Sequence, residues 1–441
     1  MHLQPGFVFI TDFLLMFEVK EKPRIVEKAF LLSCIQAEKE RSEAESLLDE
    51  LDELVRNLGI QIVGRKVVRV RKTSPRYILG KGKVEEVLDE IKEVKADVVV
   101  FDNEISPAQQ RNWEKESNIL VIDRHEIILD VFAERAQTKE AKLQVKLARL
   151  QYSLPRLRRA WTHLGRQRGG GVTQRGEGEA QIELDQRLLR DQIASTRKEI
   201  IQVAKQRQTG RSSRQKLPLP SVAIVGYTNA GKSTLLNLLT GSDALSADKL
   251  FATLDPTSRR LKLPSGRVIV LTDTVGFIRK LPHRLVDSFK ATLEEALVAD
   301  LIIHLVDLSN SEYEAQMITT ESVLGELGGS GKDLLTVYNK VDSVTDELDK
   351  IKAKRITKNA VFISAQTGEG TSALLKFLDS MFTGKLEPKK YLIPHHRYDL
   401  VSKVRSQGEL ISEESDEKGY FVTGSPRDSL LQNLQEFEVK E

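Results

Sequence analysis

The sequence predicts an α/β protein with three successive parts, and three observations lead to that prediction. Strand-like and helix-like runs alternate over residues 23–136 and again over 218–385, as they do in α/β domains. Between these regions, apolar residues repeat at alternating spacings of four and three, which is typical of paired helices. We therefore expect a small α/β domain, an antiparallel helical hairpin and a larger α/β domain, in that order.

The two ends of the chain and its single cysteine further restrict the possible domains and sites. Residues 1–22 form an extension without an assigned role, and residues 386–441 are too few for us to expect an independent domain. Cys34 is the one cysteine, which excludes a disulfide framework and a cysteine-rich zinc site. No apolar run reaches the ~18 residues of a membrane helix. We expect a cytoplasmic protein with no membrane partner.

Buried and amphipathic runs define the first α/β domain, residues 23–136. Short apolar runs predict strands, and runs with helical spacing predict helices between them. The predicted strands cover residues 29–32, 60–70, 97–101 and 119–123, and the predicted helices cover residues 37–58, 84–94 and 107–117.

Two leucine-rich runs define the hairpin within residues 137–217. Alternating spacings place one apolar seam along each helix, and a rise of 1.5 Å per residue makes each arm about 35–40 Å long. Pro155 interrupts the first arm and is a candidate for a kink. The loop over 165–180 contains six glycines, and 211–216 is a basic linker. The seam residues are Leu143, Leu147, Leu150, Leu154, Leu157, Trp161 and Leu164 in the first arm, and Leu189, Ile193, Thr196, Ile200 and Val203 in the second.

The hairpin segment is strongly basic. Residues 137–217 carry 19 Lys and Arg against 7 Asp and Glu, whereas the whole chain has a net charge of +3. Arginines and aromatic side chains surround the glycine-rich loop, a combination suited to phosphate contacts and to stacking on unpaired bases. A solvated charged helix face is the alternative. These residues are Tyr152, Arg156, Arg158, Arg159, Trp161, His163, Arg166, Arg168 and Arg175.

A phosphate-binding loop opens the second α/β domain, residues 218–385. The apolar run 221–225 is followed by Gly226 to Ser233, which matches GxxxxGK[ST], and a helix follows over 234–239. Glycines let backbone N–H groups surround a phosphate. Lys232 adds a cation at the β and γ phosphates, and Ser233 offers a hydroxyl to Mg²⁺.

Three further segments follow in order after predicted strands. Asp273 to Gly276 supplies an acid for Mg²⁺ and a glycine for close approach to the γ-phosphate. In Asn339-Lys340-Val341-Asp342, the carboxylate accepts hydrogen bonds from guanine N1–H and the neighbouring 2-amino group, and adenine has neither of these donors. Ser364-Ala365 offers a backbone amide to guanine O6. Together they resemble the G1, G3, G4 and G5 elements of the Ras-like translation-factor GTPases.

These motifs give a specific set of candidate residues. The candidate catalytic residues are Lys232, Thr253 and Gly276, and the candidate Mg²⁺ ligands are Ser233, Thr253 and Asp273. Residues expected to bind GTP or GDP are Gly226, Tyr227, Thr228, Asn229, Ala230, Gly231, Lys232, Ser233, Thr234, Asp273, Thr274, Val275, Gly276, Asn339, Lys340, Asp342, Ser364 and Ala365.

For two roles in the switch segments, the sequence leaves alternative residues open. By similarity to Obg-like GTPases, Thr253 is the switch I ligand of Mg²⁺ and the γ-phosphate, and Thr257 is the alternative. Phe277 follows Gly276, where Ras-type GTPases have the glutamine that orients the attacking water. Phenylalanine has no donor or acceptor, so we expect slow hydrolysis that a partner accelerates. His283 or Arg279 is the alternative source of the missing group.

At this point the whole chain resembles the HflX family, a GTPase family of the Obg–HflX group. The resemblance covers about residues 24–384, including SPRYILGKGKVEEV, RRAWTHLGRQ, RGEGEAQIELDQRLL, LFATLDPTSRRL and DTVGFIRKLPH. It implies a Ras-like GTPase domain, GTP hydrolysis with Mg²⁺, and a hairpin that docks on RNA of the 50S ribosomal subunit to split or rescue stalled ribosomes. We expect a monomer that does not bind DNA. A signalling GTPase with a protein-binding hairpin and a non-enzymatic RNA-binding factor are the alternatives.

Overall fold

A computed structural model describes most of the chain. The described residues are 26–160, 174–214, 219–241, 250–251, 253–281, 297–329, 332–344, 346–357, 360–383, 389–407, 409–416, 418–425, 430 and 434–439; at 157–160, 174–182, 207–214, 383, 406–407, 409 and 425 the structure describes the backbone alone. They form two compact units, one with residues up to 261 and 269–369, the other with 262–268 and residues from 370 onward.

The first α/β domain is a parallel sheet covered by helices on both faces. Its strand order is β2-β1-β3-β4, and every pairing is parallel. Alternate residues of β1 point to opposite faces, so Leu31 packs with one group of helices and Leu32 with the other. The elements are β1 Lys28–Ile35, α1 Arg41–Asn57, β2 Gln61–Arg69, α2 Lys81–Glu93, β3 Val98–Phe101, α3 Pro107–Ser117, β4 Leu120–Asp123 and α4 Arg124–Arg135.

Helix α4 is absent from the sequence-based prediction. It begins directly after β4, and the Asp123 side chain caps it by accepting a hydrogen bond from the Glu126 amide at 3.2 Å. An aspartate followed three residues later by a glutamate is a helix-start signal. The prediction missed it because the strand and the helix share this boundary with no intervening loop.

The hairpin consists of α5 Lys139–Ala160 and α6 Gln174–Arg214. Leu150 and Leu189 are buried against each other, with Leu154 and Ile193 beside them, which confirms the predicted seam at these positions. The helix continues through Pro155 to Ala160 as one element.

The second arm is longer than predicted. It has 41 residues, about 60 Å at 1.5 Å per residue. Residues 174–180 of the predicted loop and 211–214 of the predicted linker are helical. Apolar spacing defined the predicted arm, but the flanking Glu, Gln and Arg residues have good helix propensity and extend it. The remaining loop residues, 161–173, which include Trp161, His163, Leu164, Arg166 and Arg168, lie outside the described residues.

The second α/β domain has a six-stranded sheet of order β10-β9-β8-β5-β7-β6. The pairings of β10, β9, β8, β5 and β7 are parallel, so their carboxyl ends share one edge, where such sheets bind ligands. The elements are β5 Ser221–Gly226, α7 Lys232–Thr240, β6 Thr257–Lys262, β7 Val268–Asp273, β8 Leu301–Asp307, α8 Tyr313–Glu326, β9 Leu334–Asn339, α9 Glu347–Ile356 and β10 Val361–Phe362.

The second compact unit has a core of its own. Its antiparallel sheet has the order β11-β13-β12, and Tyr391, Val401 and Val422 are buried together in it. Ser265 and Asp379 are linked within the same unit by a hydrogen bond of 3.0 Å from the Ser265 amide. Its other elements are α10 Thr371–Thr383, β11 Lys389–Ile393, α11 Tyr398–Gln407, β12 Glu409–Asp416 and β13 Gly419–Ser425. Among the helices that the structure describes, none is long and apolar enough to cross a membrane.

Candidate functional site

The phosphate-binding loop turns between β5 and α7. Asn229 and Gly231 have left-handed backbones, with φ of 60° and 92°, and the helix begins at Lys232. A Cβ atom at Gly231 would lie 2.3 Å from Nδ2 of Asn339. Glycine at this position therefore allows both the turn and the approach of Asn339.

Lys232 is aligned along the inside of this loop. Its Nζ donates hydrogen bonds to the carbonyl oxygens of Tyr227 at 2.7 Å and Gly226 at 3.2 Å. Burial lowers the pKa of Lys232 to about 8, and the nearby Asp273 opposes the shift. A buried ammonium bound only to neutral carbonyls fits a site that receives an anion, because an anion restores the interactions it lost on desolvation.

Oxygen atoms of Ser233, Thr253 and Asp273 converge beside the loop. The Ser233 hydroxyl donates to Oδ2 of Asp273 at 2.6 Å and lies 2.8 Å from the Thr253 hydroxyl. Burial raises the pKa of Asp273, and Lys232 opposes that shift. Oδ1 of Asp273 is buried and has no hydrogen-bond partner among the described residues. A set of hard oxygen donors with one unpartnered carboxylate oxygen fits Mg²⁺. Thr257 is instead the first residue of β6.

The guanine-recognition segments are joined through Asn339. Its amide nitrogen donates to the Ala230 carbonyl at 2.8 Å, and its Oδ1 accepts from the Ala365 amide at 2.8 Å. Asn339 thus connects the phosphate loop to the last motif. Lys340 forms an ion pair of 2.7 Å with Asp307.

Asp342 lies exposed at the same edge. A hydrogen bond with the Ser364 side chain holds its pKa below the usual value. The carboxylate is therefore ionised and able to accept hydrogen bonds from two neighbouring N–H donors of a base.

Residues 274–277 lie alongside the phosphate loop. The Thr274 hydroxyl donates to the Ile224 carbonyl at 2.7 Å. A Cβ atom at Gly276 would be 2.9 Å from Cα of Thr228 and 3.0 Å from Nζ of Lys232, so only glycine fits there. The Phe277 amide donates to the Gly226 carbonyl at 3.1 Å, and the Thr228 amide donates to the Phe277 carbonyl at 2.8 Å.

The remaining predicted residues differ in what their side chains contact. Thr234 lies in the first turn of α7, and Val275 belongs to the buried apolar core. The Tyr227 hydroxyl donates to a carboxylate oxygen of Glu50 and accepts from the Arg279 amide at 2.7 Å. Tyr227 therefore offers the nucleotide its backbone alone, while its side chain contacts the first α/β domain.

Comparison with known proteins follows the same division of the chain. Three sequence-family models match: "GTP-binding GTPase N-terminal" over residues 45–133, "GTP-binding GTPase Middle Region" over 135–214, and "50S ribosome-binding GTPase" over 221–340. The protein named GTPase HflX from Akkermansia muciniphila is 47% identical over 92% of this chain and 96% of its own length. The chain belongs to the HflX GTPase family.

A second curated relative agrees with that assignment. GTPase HflX from Escherichia coli is 42% identical over 84% of this chain and 87% of its own length. Among solved structures, the crystal structure of SsGBP in complex with GDP is 24% identical, covers 81% of this chain and 99% of its own, and aligns with a TM-score of 0.47. This HflX-family chain is a P-loop GTPase, and the expectations of a GTP hydrolase with a mixed α/β fold are confirmed.

A buried charge cluster that the sequence analysis missed connects this HflX-family GTPase domain to the first domain. Arg124 forms an ion pair of 2.9 Å with Asp102 and a second one with Glu50. Lys280 pairs with Asp102 at 2.6 Å. Burial lowers the pKa of Arg124 to about 10. These residues lie far apart in the sequence, and nothing in their local patterns indicates that they meet.

Arg279 belongs to the same interface. Its guanidinium donates to the Ser46 hydroxyl at 2.8 Å and lies 3.5 Å from Oε2 of Glu50. The Arg279 guanidinium is therefore bound to the first domain. His283, the other alternative for the missing glutamine, lies outside the described residues. Phe277 is 1% exposed and packs within the core.

Two residues expected to contact RNA have structural roles. The Tyr152 hydroxyl donates to Asp123 at 2.9 Å. Arg156 forms an ion pair with Asp123 at 3.1 Å, donates to the Ile105 carbonyl at 3.2 Å, and lies over the Tyr152 ring at 3.4 Å. Asp123, at the end of β4, pairs with both side chains, and their contact with RNA stays a prediction. The side chains of Arg158, Arg159 and Arg175 lie outside the described set.

Proposed function

We propose that the site binds GTP with Mg²⁺ and hydrolyses it. Backbone N–H groups of residues 226–231 and the Lys232 ammonium hold the phosphates, and Ser233, Thr253 and Asp273 hold the cation through oxygen atoms. The cation supplies positive charge that stabilises the phosphoryl group during transfer. The proposal is carried by the convergence of the Ser233 and Thr253 hydroxyls beside the Asp273 carboxylate, whose Oδ1 has no partner among the described residues. This convergence also favours Thr253 over Thr257.

Asp342 selects guanine in this proposal. It is ionised, exposed and next to Ser364, where it accepts from guanine N1–H and the exocyclic amine. The Ala365 amide, bound to Asn339 in the structure, lies in the segment that reads guanine O6. Adenine leaves the carboxylate unsatisfied, which is the kind of mismatch that gives strong discrimination.

Phe277 makes hydrolysis slow in the isolated protein. Its buried ring has no polar atom to orient water, and Arg279 is bound by Ser46 and Glu50. A partner that supplies or orders the missing group therefore accelerates the reaction, as activating proteins do for other GTPases.

The partner in this proposal is the 50S ribosomal subunit, bound through the hairpin. Support comes from the model described as "50S ribosome-binding GTPase", which matches residues 221–340, and from the basic character of residues 137–217. GTP binding favours the bound state that splits or rescues stalled ribosomes, and hydrolysis releases it. The protein acts as a monomer in the cytoplasm.

Co-sedimentation with isolated 50S subunits tests this proposal. We expect pelleting with a non-hydrolysable GTP analogue and little with GDP, and subunits should raise the rate of GTP hydrolysis. Binding should weaken with salt, with a logarithmic slope of roughly −0.7 to −0.9 per phosphate neutralised. Equal pelleting with both nucleotides, or none, would contradict the proposal. Nucleotide-dependent binding with no salt slope would favour a protein-binding hairpin.

A matched pair of variants locates the binding surface. Replacing Arg166, Arg168 and Arg175 with alanine should reduce pelleting while leaving basal hydrolysis unchanged. The control replaces Lys352, Lys354 and Arg355, three exposed cations of α9, and should leave pelleting unchanged. If both variants lose binding equally, net charge and not the hairpin is responsible.

A further inference from the structure

Asp255, in the candidate switch I segment, is hydrogen-bonded to the residues where the hairpin begins. The Asp255 carboxylate accepts hydrogen bonds from the backbone amides of Gln137 and Thr138, both at 3.0 Å, and from the Thr138 hydroxyl. Thr138 in turn accepts from the Ala141 amide at 3.1 Å, in the first turn of α5. One carboxylate therefore holds the start of the first hairpin helix, and more than a hundred residues separate it from that helix.

Apolar side chains of the same segment also pack against residues near the start of the hairpin. Phe251 meets Phe132 edge to face, with ring centroids 4.5 Å apart. Phe251 and Leu254 are each 2% exposed and share a core with Ala136 and Ala141. Phe251, Leu254 and Asp255 thus contact the end of α4, the connection and the first turn of α5.

Thr253 lies between these two anchors. Its hydroxyl is 2.8 Å from Ser233, beside Asp273, whereas Asp255 two residues later is bound to the root of the hairpin. Because two residues span at most about 7 Å, a large shift of either residue moves the other. The backbone at Phe251 is left-handed, with φ of 55°, which an aromatic residue adopts only when its surroundings hold it there.

We propose that Asp255 is a positioning residue that couples Thr253 to the hairpin. When Thr253 is held by the cation and the γ-phosphate, Asp255 clamps the amides of Gln137 and Thr138. When the γ-phosphate is lost and Thr253 is released, the clamp loosens and the hairpin root is freed. The inference rests on the proposed function only in taking Thr253 as the γ-phosphate-linked ligand, and it adds the route from nucleotide to hairpin.

Hydrogen exchange of the full-length protein tests the coupling. Amides of residues 137–142 are followed with GDP and with a non-hydrolysable GTP analogue, both with Mg²⁺. In the wild type, these amides should exchange roughly tenfold more slowly with the analogue, which is the scale of one hydrogen bond to a charged acceptor. In Asp255→Ala, the difference between nucleotides should disappear, while the affinity for GDP stays within about twofold because GDP has no γ-phosphate to engage Thr253.

Conservative and control variants separate positioning from folding. Asp255→Asn keeps one acceptor oxygen and Thr138→Ser keeps the hydroxyl, so both should restore part of the nucleotide-dependent difference. Asp346→Ala removes another capping aspartate, which accepts from the Leu348 amide at 2.8 Å in α9, and should leave the difference intact.

The outcomes distinguish this inference from the proposed function. If the wild type binds both nucleotides but residues 137–142 exchange equally with each, the coupling is refuted while the GTP site stands. If Asp255→Ala keeps the nucleotide-dependent difference, Asp255 is not the link. If Thr253→Ala leaves the affinity for the GTP analogue with Mg²⁺ unchanged, the role of Thr253 is wrong and the coupling is refuted, while the GTP site formed by the other residues stands.

Discussion

The two ends of the nucleotide site are built differently. At the guanine end, Asn339 bonds to Ala230 and Ala365, and Asp342 to Ser364, all within the GTPase domain. At the switch end, Asp255 bonds to Thr138, and Arg279 to Ser46 and Glu50, which belong to other domains.

In the proposed function, the contacts that recognise the base are therefore separate from the contacts that change with the state of the nucleotide. Base recognition requires fixed geometry, and contacts among neighbouring loops of one sheet edge provide it. The switch end is bonded to the first domain and to the hairpin, so in the proposed function a change at the γ-phosphate is transmitted there. The same proposal makes the choice of base independent of the conformational state.

Asp342→Asn should cause the largest effect of the substitutions, a loss of GTP affinity, and should leave the contacts at the switch end intact. The amide presents a donor where guanine presents one, so GTP affinity should fall by roughly 10⁴-fold, and xanthosine triphosphate should bind better than GTP. Competition binding with the two nucleotides measures this. The control Asp346→Asn, four residues away, should change neither affinity. Unaltered GTP preference in Asp342→Asn would remove Asp342 from the recognition of guanine.

Arg124→Met should damage the switch end through the interface with the first domain. The change removes the buried guanidinium that binds both Glu50 and Asp102 and leaves them Arg279 and Lys280 as counter-ions. Breaking a buried cluster in this way costs up to about 3–5 kcal/mol of unfolding free energy. Chemical denaturation measures it. Arg65→Met, which breaks an exposed pair with Asp49, should cost under ~1 kcal/mol. Equal effects of the two variants would mean that the buried cluster does not stabilise the interface.

Glu126→Gln should have the smallest effect, and that effect should depend on pH. Burial, with the charges of Asp130 and Asp123, raises the pKa of Glu126 from 4.5 to about 8. The folded state therefore favours the neutral carboxyl, and the resulting stability is present below about pH 4.5 and is lost as pH rises through about 8. Glutamine removes the cost of ionisation, so the variant should be more stable above pH 8.

Because Glu126 is half-buried, the gain for Glu126→Gln should be about 1 kcal/mol, or a Tm increase of roughly 1–2 °C in a chain of this length. Thermal unfolding at pH 6 and pH 9 measures it. Glu134→Gln, at an exposed position of the same helix, is the control and should show no such pH-dependent gain. A Glu126→Gln variant whose stability follows that of the wild type at both pH values would contradict the prediction.

The contrast between contacts within one domain and contacts between domains also explains which features could be predicted from the sequence. The motif residues of the GTPase domain meet as expected because strand–loop–helix order places their loops at one sheet edge. Helix α3 has the predicted bounds because Ser106, Pro107 and Gln109 form a local capping arrangement. Both signals are contained in a few consecutive residues.

Contacts between distant segments could not be predicted in this way. Nothing near Asp255 indicates that it binds residues 137–138, and Arg156 has the same local pattern as arginines that contact RNA. Only the fold brings Asp123 to Arg156 and Glu50 to Tyr227. The length of α6 was underestimated because polar residues extend a helix without contributing to the apolar spacing that revealed it.

The core shared by the first domain, the hairpin root and both switch segments limits how this chain can be divided. Phe251, Leu254, Phe277 and Ile278 are buried in it together with Phe132. A fragment that began at residue 219 would expose these side chains to water, and an apolar patch of that kind promotes aggregation. Boundaries drawn from sequence motifs are therefore poor places to truncate this protein, and biochemical work on its GTPase activity calls for the intact polypeptide.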